Sequence, residues 1–391
     1  MTSQTAAYAE QLPAGVTSRM VANNNGLDMH VLEAGADQRG RPAILLLHGF
    51  PELAYSWRKV MPHLAAQGYH VIAPDQRGYG LTTGWDADYD GNLDQFRFAN
   101  LVQDALGLIC ALGHRSVAAV IGHDFGSPVA AYAALIRPDV FRSAVMMSSP
   151  FGGPPAMPFD TASTNPATPA ASALSSPTIH DDLAALVRPR KHYQWYYSTR
   201  EANHDMWHCP QGVHDFLRAY YHHKSADWAD NTPHPLEGWV ASELARLPTY
   251  YVMDHAKNMA ETVAEEMPDR ETIENCWWLS EPELSVYSSE YQRIGFQGGL
   301  QWYRCMTSAH YASQLRLFAG RTIDVPSMFI AGRQDWGIYQ KPGDIERMQT
   351  DACTDFRGCH LIEHAGHWVQ QEQPDKVNAL LSGFLEQQTR Q

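Results

Sequence analysis

The sequence predicts an α/β protein in which a mostly parallel sheet is flanked by helices and interrupted by an inserted helical cap domain. Two observations predict the sheet: short, wholly apolar runs at residues 43–47 and 117–121, and helical patterns that alternate with such runs. A third observation predicts the insertion, because this alternation stops after Pro150 and returns at residue 325. A chain of 391 residues can hold either one large domain with an insertion or two domains.

The first part of the sheet is predicted from runs of β-branched and other apolar residues. The predicted strands are residues 27–33, which alternate and are typical of an edge strand, and residues 43–47, 71–73, 117–121 and 143–147. The predicted helices are residues 55–66, residues 100–112, which Gly113 closes, and residues 128–135. Strands that alternate with helices favour a parallel sheet with right-handed crossovers.

The middle of the chain has a different character. Residues 151–177 are rich in Pro, Ala, Ser, Thr and Gly, which is typical of a long loop or linker. Residues 180–313 are mostly helical in pattern and hold seven of the eleven tryptophans. Strands at 325–331 and 361–362 and a helix at 376–387 then complete the sheet. We expect a first core segment at 1–150, the linker and helical cap at 151–315, and a second core segment at 316–391.

Composition and charge limit the classes of partner. Lys and Arg total 29 against 43 Asp and Glu, a net charge of −14, which argues against nucleic acid and anionic membranes. The six cysteines follow no zinc-like or CxxC spacing, residues 1–15 contain no signal-peptide core, and no apolar run reaches the roughly 18 residues of a membrane span. We therefore expect a reduced, cytoplasmic protein. A homodimer is left open.

The strand at 117–121 runs into the sequence Gly122-His123-Asp124-Phe125-Gly126, which a helix follows. A strand, a turn with glycines two positions before and after its central residue, and a helix are typical of a nucleophile elbow. The residue at its tip is Asp124, and a carboxylate can attack a saturated carbon to form an ester. The alternative is a glycine-rich turn in which Asp124 only caps the helix.

Three further strand ends carry functional groups, as expected for a site at the carboxyl edge of a parallel sheet. Asp335 follows the strand at 325–331, and His367 follows the strand at 361–362; His364 is a rival for its place, and Asp335 could be a turn residue. The order nucleophile, acid, histidine is the one expected for an α/β-hydrolase fold. The third strand end is the loop at 48–51, which follows the strand at 43–47. In that fold, backbone N–H groups of Phe50 in this loop and of Phe125 would form an oxyanion hole.

With these motifs, the chain resembles the epoxide hydrolases of the α/β-hydrolase fold superfamily. The resemblance rests on the motifs at 48–51 and 122–127, on Asp335 and on Gly366-His367-Trp368. It implies two cap tyrosines, which match Tyr193 in a Tyr-Gln-x-Tyr segment and Tyr303 in Trp-Tyr-Arg. The aromatic residues of the predicted cap suggest a bulky, apolar or aromatic epoxide, for which we expect contacts from His48, Pro51, Trp195 and Trp336.

The resemblance implies that Asp124 opens the epoxide, that phenols of Tyr193 and Tyr303 protonate its oxygen, and that His367, oriented by Asp335, activates water to release a vicinal diol. No metal or organic cofactor is required. One rival is a haloalkane or haloacetate dehalogenase, although Phe125 stands where haloalkane enzymes usually place Trp. A non-catalytic ligand-binding protein is another. Histidines 204 and 208 have i, i+4 spacing, but Asp205 stands where a zinc protease needs Glu.

Overall fold

The computed structural model describes residues 10–38, 40–157 and 178–389. Most of the predicted linker at 151–177, from residue 158 onward, therefore lies outside the described residues. Among the residues that are described, no helix combines the length and apolar character needed to cross a bilayer.

An eight-stranded sheet forms the centre of the described chain, in the order β1-β2-β4-β3-β5-β6-β9-β10. β1 pairs with β2, and β2 with β4, in antiparallel fashion, whereas the other neighbours pair in parallel. The predicted mostly parallel sheet is confirmed. The strands are β1 (Val16–Asn24), β2 (Leu27–Ala34), β3 (Ala43–Leu47), β4 (His70–Pro74), β5 (Val117–His123), β6 (Ala144–Met147), β7 (Arg190–His192), β8 (Val252–Asp254), β9 (Ser327–Gly332) and β10 (Phe356–Ile362).

Helices cover this sheet and fill the segment between β6 and β9. Every residue of β3 is buried, which explains why the sequence reads there as an unbroken apolar run. The α-helices are α1 (Met61–Ala66), α2 (Phe98–Ala111), α3 (Gly126–Ile136), α4 (Ile179–Ala184), α5 (Tyr193–Tyr196), α6 (Glu201–Trp207), α7 (Gly212–Lys224), α8 (Ala241–Leu244), α9 (Met259–Ala264), α10 (Arg270–Asn275), α11 (Glu281–Ile294), α12 (Gln297–Thr307), α13 (Ala309–Gln314), α14 (Asp344–Arg347), α15 (Val369–Glu372) and α16 (Pro374–Thr389).

Two predicted elements differ in the structure. The strand predicted at the sheet edge is β2, which lies inside the edge because β1 pairs along its outer side. The helix predicted at 55–66 is divided into a 3₁₀ turn, Ala54–Trp57, and the short helix α1. Pro62 explains the division, because proline fits the first turn of a new helix but cannot donate a hydrogen bond inside a continuous one.

We call the described residues 178–315 the cap. They are mostly helical, as predicted, but they also contain the two-stranded antiparallel sheet β7–β8. Each of these strands has three residues, too few to show a periodic pattern, and about sixty residues separate them. β7 leads directly into α5 and so fixes where Tyr193 begins that helix.

Candidate active site

The turn between β5 and α3 holds Asp124 in a left-handed backbone conformation, with φ of 51°. A Cβ atom on Gly122 would lie 2.0 Å from the carbonyl oxygen of Gly126, and one on Gly126 would lie 2.3 Å from that of Leu47. Only glycine fits at these two positions. The tight turn predicted from the sequence is therefore present, and it raises Asp124 at the carboxyl edge of the sheet.

Loops from three strands bring Asp124, His367 and Asp335 together. Nε2 of His367 lies 3.2 Å from Oδ2 of Asp124, and Nδ1 lies 3.1 Å from Oδ1 of Asp335. All three side chains are buried. Both ring nitrogens of His367 face carboxylate oxygens, so both act as donors when the ring is protonated. The rival His364 is exposed and makes none of these contacts.

The charges of this triad favour an ion pair. Burial alone would raise the pKa of Asp124, but the hydrogen bond and charge of His367 outweigh burial and hold the pKa below its ordinary value. Burial and the charge of Lys224 lower the pKa of His367, whereas Asp335 and the hydrogen bonds to both carboxylates raise it, with a net increase. The nucleophile is therefore ionised at neutral pH, as displacement requires.

The loop after β3 lies against the same carboxylate. The N–H of Phe50 donates to Oδ1 of Asp124 at 2.9 Å, which is the contact expected of an oxyanion-hole donor. Gly49 permits this approach, since a Cβ there would lie 2.3 Å from Cβ of Asp124. The described hydrogen bonds include none from the N–H of Phe125 to the carboxylate, so the second donor stays a prediction.

A buried pair, Glu52 and His123, ties the loops of the site together; the sequence analysis did not single it out. Nδ1 of His123 lies 2.6 Å from Oε2 of Glu52, and its Nε2 lies 2.7 Å from the carbonyl oxygen of His367. Glu52 also accepts from the N–H of Gly49 at 2.9 Å. One pair thus fixes the Phe50 loop, the elbow and the His367 loop relative to one another.

The cap places both predicted tyrosines over Asp124. A cavity of about 30 Å³ is lined jointly by Asp124, Tyr193 and Tyr303. The ring centres of the two tyrosines lie 5.9 Å apart. Burial, and then the charge of Asp124, raise the pKa of both phenols well above the ordinary value, so both keep their protons at neutral pH. Tyr193 donates to Oε1 of Gln340 at 3.0 Å, a partner that the sequence analysis missed.

The four residues predicted to contact substrate lie at different places. Trp195 packs on His180 and His192, and Trp336 packs on His234; neither lines this cavity. His48 orders its loop, since its Nε2 accepts from the N–H of Gln76 at 3.1 Å. Pro51 follows a cis peptide bond, and its carbonyl accepts from Tyr221. None of the four lines the cavity that contains Asp124, and their contacts with substrate stay a prediction.

A second cavity, of about 690 Å³, adjoins the first but contains no triad residue. Its lining is mainly apolar, with Phe98, Tyr132, Phe151 and Phe318 among its members. The lining residues shared by the two cavities are Pro128, Ser149, Met306 and Lys341. The two cavities therefore meet at these four residues.

Other candidate centres do not form sites in the described part of the chain. Among the residues that the structure describes, no group of three or more His, Cys, Asp or Glu side chains is arranged to hold a metal ion. The rings of His204 and His208 lie against each other instead, with centres 4.8 Å apart and planes inclined by 53°. All six cysteines, including Cys353 and Cys359, are free thiols.

Comparison with known proteins places this geometry in a family. A family model described as the alpha/beta hydrolase fold matches residues 42–173. Epoxide hydrolase B of Mycobacterium tuberculosis is 31% identical over 93% of this chain and 97% of its own, and epoxide hydrolase A of that organism is 32% identical over 95% and 98%.

Solved structures give the same result. An epoxide hydrolase from an endophytic Streptomyces matches with a TM-score of 0.73 and 28% identity over 96% of both chains. Epoxide hydrolase A from Mycobacterium thermoresistibile matches with a TM-score of 0.70 and 30% identity over 95% of this chain and 98% of its own. With its Asp124–His367–Asp335 arrangement beneath two cap tyrosines, the chain belongs to the epoxide hydrolases of the α/β-hydrolase fold.

Proposed function

We propose that this enzyme converts an epoxide and water into a vicinal diol through a covalent ester on Asp124. The observation that carries the proposal is the single cavity in which the Asp124 carboxylate and the Tyr193 and Tyr303 side chains meet. A nucleophile on one side and neutral proton donors on the other are what opening of a strained cyclic ether needs.

In the first step, Oδ2 of Asp124 attacks a ring carbon and the carbon–oxygen bond on the far side of that carbon breaks. Oδ1 becomes the ester carbonyl, because the N–H of Phe50 already binds it. The departing alkoxide takes a proton from Tyr193 or Tyr303. The raised pKa of these phenols keeps them protonated until negative charge develops on the oxygen.

In the second step, neutral His367 removes a proton from water, and the resulting hydroxide attacks the ester carbon of Asp124. The N–H of Phe50 stabilises the oxyanion on Oδ1, with Phe125 as the proposed second donor. Collapse of this intermediate breaks the ester bond and leaves Asp124 as a carboxylic acid. The proton on His367 and the proton of this carboxyl group then pass to the alkoxide of the departing diol and to the tyrosinate formed in the first step, which restores the free enzyme. Asp335 orients the ring of His367 throughout.

The apolar lining of the larger cavity supports an apolar or aromatic substituent on the epoxide, since burial of such a group is favourable. Lys341, which lines both cavities, and Gln340, which lines the small cavity beside Tyr193, are polar residues near the reacting group. The cytoplasmic location and the homodimer stay predictions from the sequence.

A single turnover in heavy-oxygen water tests the ester route. The first turnover should leave the label in Asp124 and release unlabelled diol, and a later turnover should deliver the label to the diol. Direct attack of water on the epoxide would label the first diol and never Asp124.

Assays with styrene oxide, a fatty epoxide and a terpene epoxide should show diol formation, with Asp124→Ala as the inactive control. Halide release from chlorinated or fluorinated substrates without diol formation would favour a dehalogenase. Tight binding of all three epoxides without turnover would favour a binding protein.

A further inference from the structure

Lys224, the last residue of α7, is buried beside the triad, with only 2% of its surface exposed. Four aromatic rings surround its ammonium group. The distances from Nζ to the ring centres are 4.9 Å for Tyr251, 5.4 Å for Tyr220, 5.6 Å for Trp368 and 5.7 Å for Tyr250. Lysine is rarely buried so fully, because its charge loses water on burial.

The environment compensates this charge in two ways. The faces of the four rings attract a cation, and three carboxylates, Asp124, Asp335 and Glu52, act on it through space. Burial lowers the pKa of Lys224, and these carboxylates oppose that effect. Among the described residues, no hydrogen bond is donated by Nζ of Lys224. Its charge is therefore stabilised by the aromatic rings and by the carboxylates that act on it through space.

The backbone couples Lys224 to the catalytic base. The N–H of His367 donates to the carbonyl oxygen of Lys224 at 2.9 Å. Trp368, which forms one wall of the ring cage, lies against the imidazole of His367, with ring centres 4.7 Å apart. These contacts between the end of α7 and the His367 loop therefore hold the Lys224 ammonium near the imidazole of His367.

We propose that Lys224 is a positioning residue that acts electrostatically on His367 and keeps it unprotonated in the ester intermediate. The inference rests on the proposed function, because it concerns the second step of that mechanism. In the free enzyme, two carboxylates, Asp124 and Asp335, face His367 and favour its protonated form. Esterification removes the charge of Asp124, and the ammonium of Lys224 then opposes the remaining charge of Asp335.

Other titratable groups also lie near this pair. Glu372 accepts from the N–H groups of Gly366 and Trp368, on either side of His367, and burial raises its pKa to about 8. His123 lies 5.1 Å from His367 between ring centres and is paired with Glu52. His222 and His223 precede Lys224 on α7, and burial lowers the pKa of both, which favours their neutral forms. Tyr220, Tyr250 and Tyr251 have raised pKa values and are neutral. Lys224 is therefore the cation that we assign to act on His367 once Asp124 is esterified.

The test separates the two chemical steps by rapid mixing of enzyme with excess styrene oxide, with ester and diol followed across pH. In Lys224→Met, ester breakdown should require a higher pH than in the wild type, by about one pH unit, because removing a positive charge makes His367 easier to protonate. We call the rise of ester breakdown with pH the pH limb. At pH values below this limb, ester breakdown in Lys224→Met should be roughly tenfold slower than in the wild type, and ester formation should change much less.

Matched variants identify the cause. Lys224→Arg keeps the cation and should keep the wild-type limb. Lys224→Gln, a second neutral variant with a shorter stem and a polar end, should repeat the result of Lys224→Met if the Met variant does not fold. Lys59→Met removes another lysine that lies over a ring, 5.1 Å from the centre of Trp277 but outside the triad, and should leave the limb unchanged.

Thermal unfolding of each variant establishes which ones are folded. The inference is overturned if a folded, ester-forming Lys224→Met or Lys224→Gln variant shows the same pH dependence of ester breakdown as the wild type. An equal upward shift in Lys224→Arg also overturns it, because the cation would not be the cause. A wild-type enzyme that forms neither ester nor diol would instead overturn the proposed function.

Discussion

The two walls of the catalytic cavity are built by different physical means. The sheet wall carries charges, Asp124, His367 and Asp335, on tight loops that backbone hydrogen bonds and the Glu52–His123 pair hold in place. The cap wall carries neutral phenols on helices that aromatic rings pack together, such as Tyr303 against Phe125 with ring centres 5.0 Å apart. Burial of aromatic rings stabilises the cap wall, whereas each buried charge of the sheet wall needs a hydrogen-bond or ion-pair partner.

This difference separates two tasks. Charge on the sheet wall sets which bonds can form, and a change there alters the chemistry itself. The cap wall supplies proton donors and shape, and shape can vary without leaving a buried charge unpaired. We therefore expect the largest losses of activity from changes on the sheet wall and changes of specificity from the cap.

Replacing Asp124 by Asn should have the largest effect. Asparagine tolerates the left-handed backbone at this position, with φ of 51°, but it lacks the nucleophilic charge. We expect turnover of styrene oxide to fall on the order of 10⁴-fold or more. The peptide that contains residue 124 should take up no label from heavy-oxygen water. Circular dichroism serves as the folding control, and a folded variant that keeps its turnover would contradict the ester route.

His367→Ala should block the second step while sparing the first. Ester breakdown should slow by about 10³-fold, because the general base is missing, and intact-mass spectrometry should detect accumulated ester on Asp124. His364→Ala is the matched control, since His364 lies in the same loop, is exposed and does not face the triad. Full diol formation by the His367 variant would show that another group activates water.

On the cap wall, Tyr303→Phe should slow ester formation by about 10²-fold and leave ester breakdown nearly unchanged, because one of two proton donors to the alkoxide is lost. The double change with Tyr193→Phe should prevent measurable ring opening. Tyr251→Phe is the control: its ring packs on Tyr193, and its buried hydroxyl has no described hydrogen-bond partner. Pre-steady-state rates of ester formation and ester breakdown distinguish these cases. Unchanged ester formation in the double variant would show that the two phenols do not donate the proton.

The charge of Asp124 should also be visible in the titration of His367. In the free enzyme the carboxylates raise the pKa of His367 above its ordinary value. When Asp124 is esterified one negative charge is lost, so the pKa should fall by about one unit or more. Nuclear magnetic resonance of the free enzyme and the pH dependence of ester breakdown give the two values; equal values would contradict the coupling.

Met306→Ala should have the smallest effect on the chemistry. Met306 lines both cavities and touches no reacting group that we assign. Widening the boundary should shift the ratio of kcat/KM between a bulky and a small epoxide by about tenfold, with a smaller change in kcat for the small one. A large loss of kcat with every substrate would show that the cap wall also takes part in the chemistry.

The sequence predicted the sheet wall well because its signals are local. The elbow is marked by glycines within five residues of chain, and the carboxyl ends of parallel strands must share one edge, so Asp124, Asp335 and His367 had to lie near each other. The same reasoning misplaced β2 at the edge, because β1 carried no signal that the analysis recognised.

The cap wall followed the sequence less closely. Resemblance identified Tyr193 and Tyr303, but nothing local distinguished them from the many other aromatic residues of the cap. Trp195 and Trp336 were expected at the substrate and instead pack on histidines elsewhere. Bulky apolar side chains fill any core, so their type alone does not indicate what they face.

By itself, then, the sequence predicted the fold, the chain order of Asp124, Asp335 and His367, and the turn that presents Asp124, because the signal for each lies in a short segment of the chain. Tertiary structure alone decided that the Lys224 ammonium is buried where the charges of Asp124 and Asp335 act on it, that Glu52 pairs with His123 across three loops, and that Gln340 accepts from the Tyr193 hydroxyl. These contacts join segments far apart in sequence. Their electrostatic strength depends on burial, which no single segment encodes.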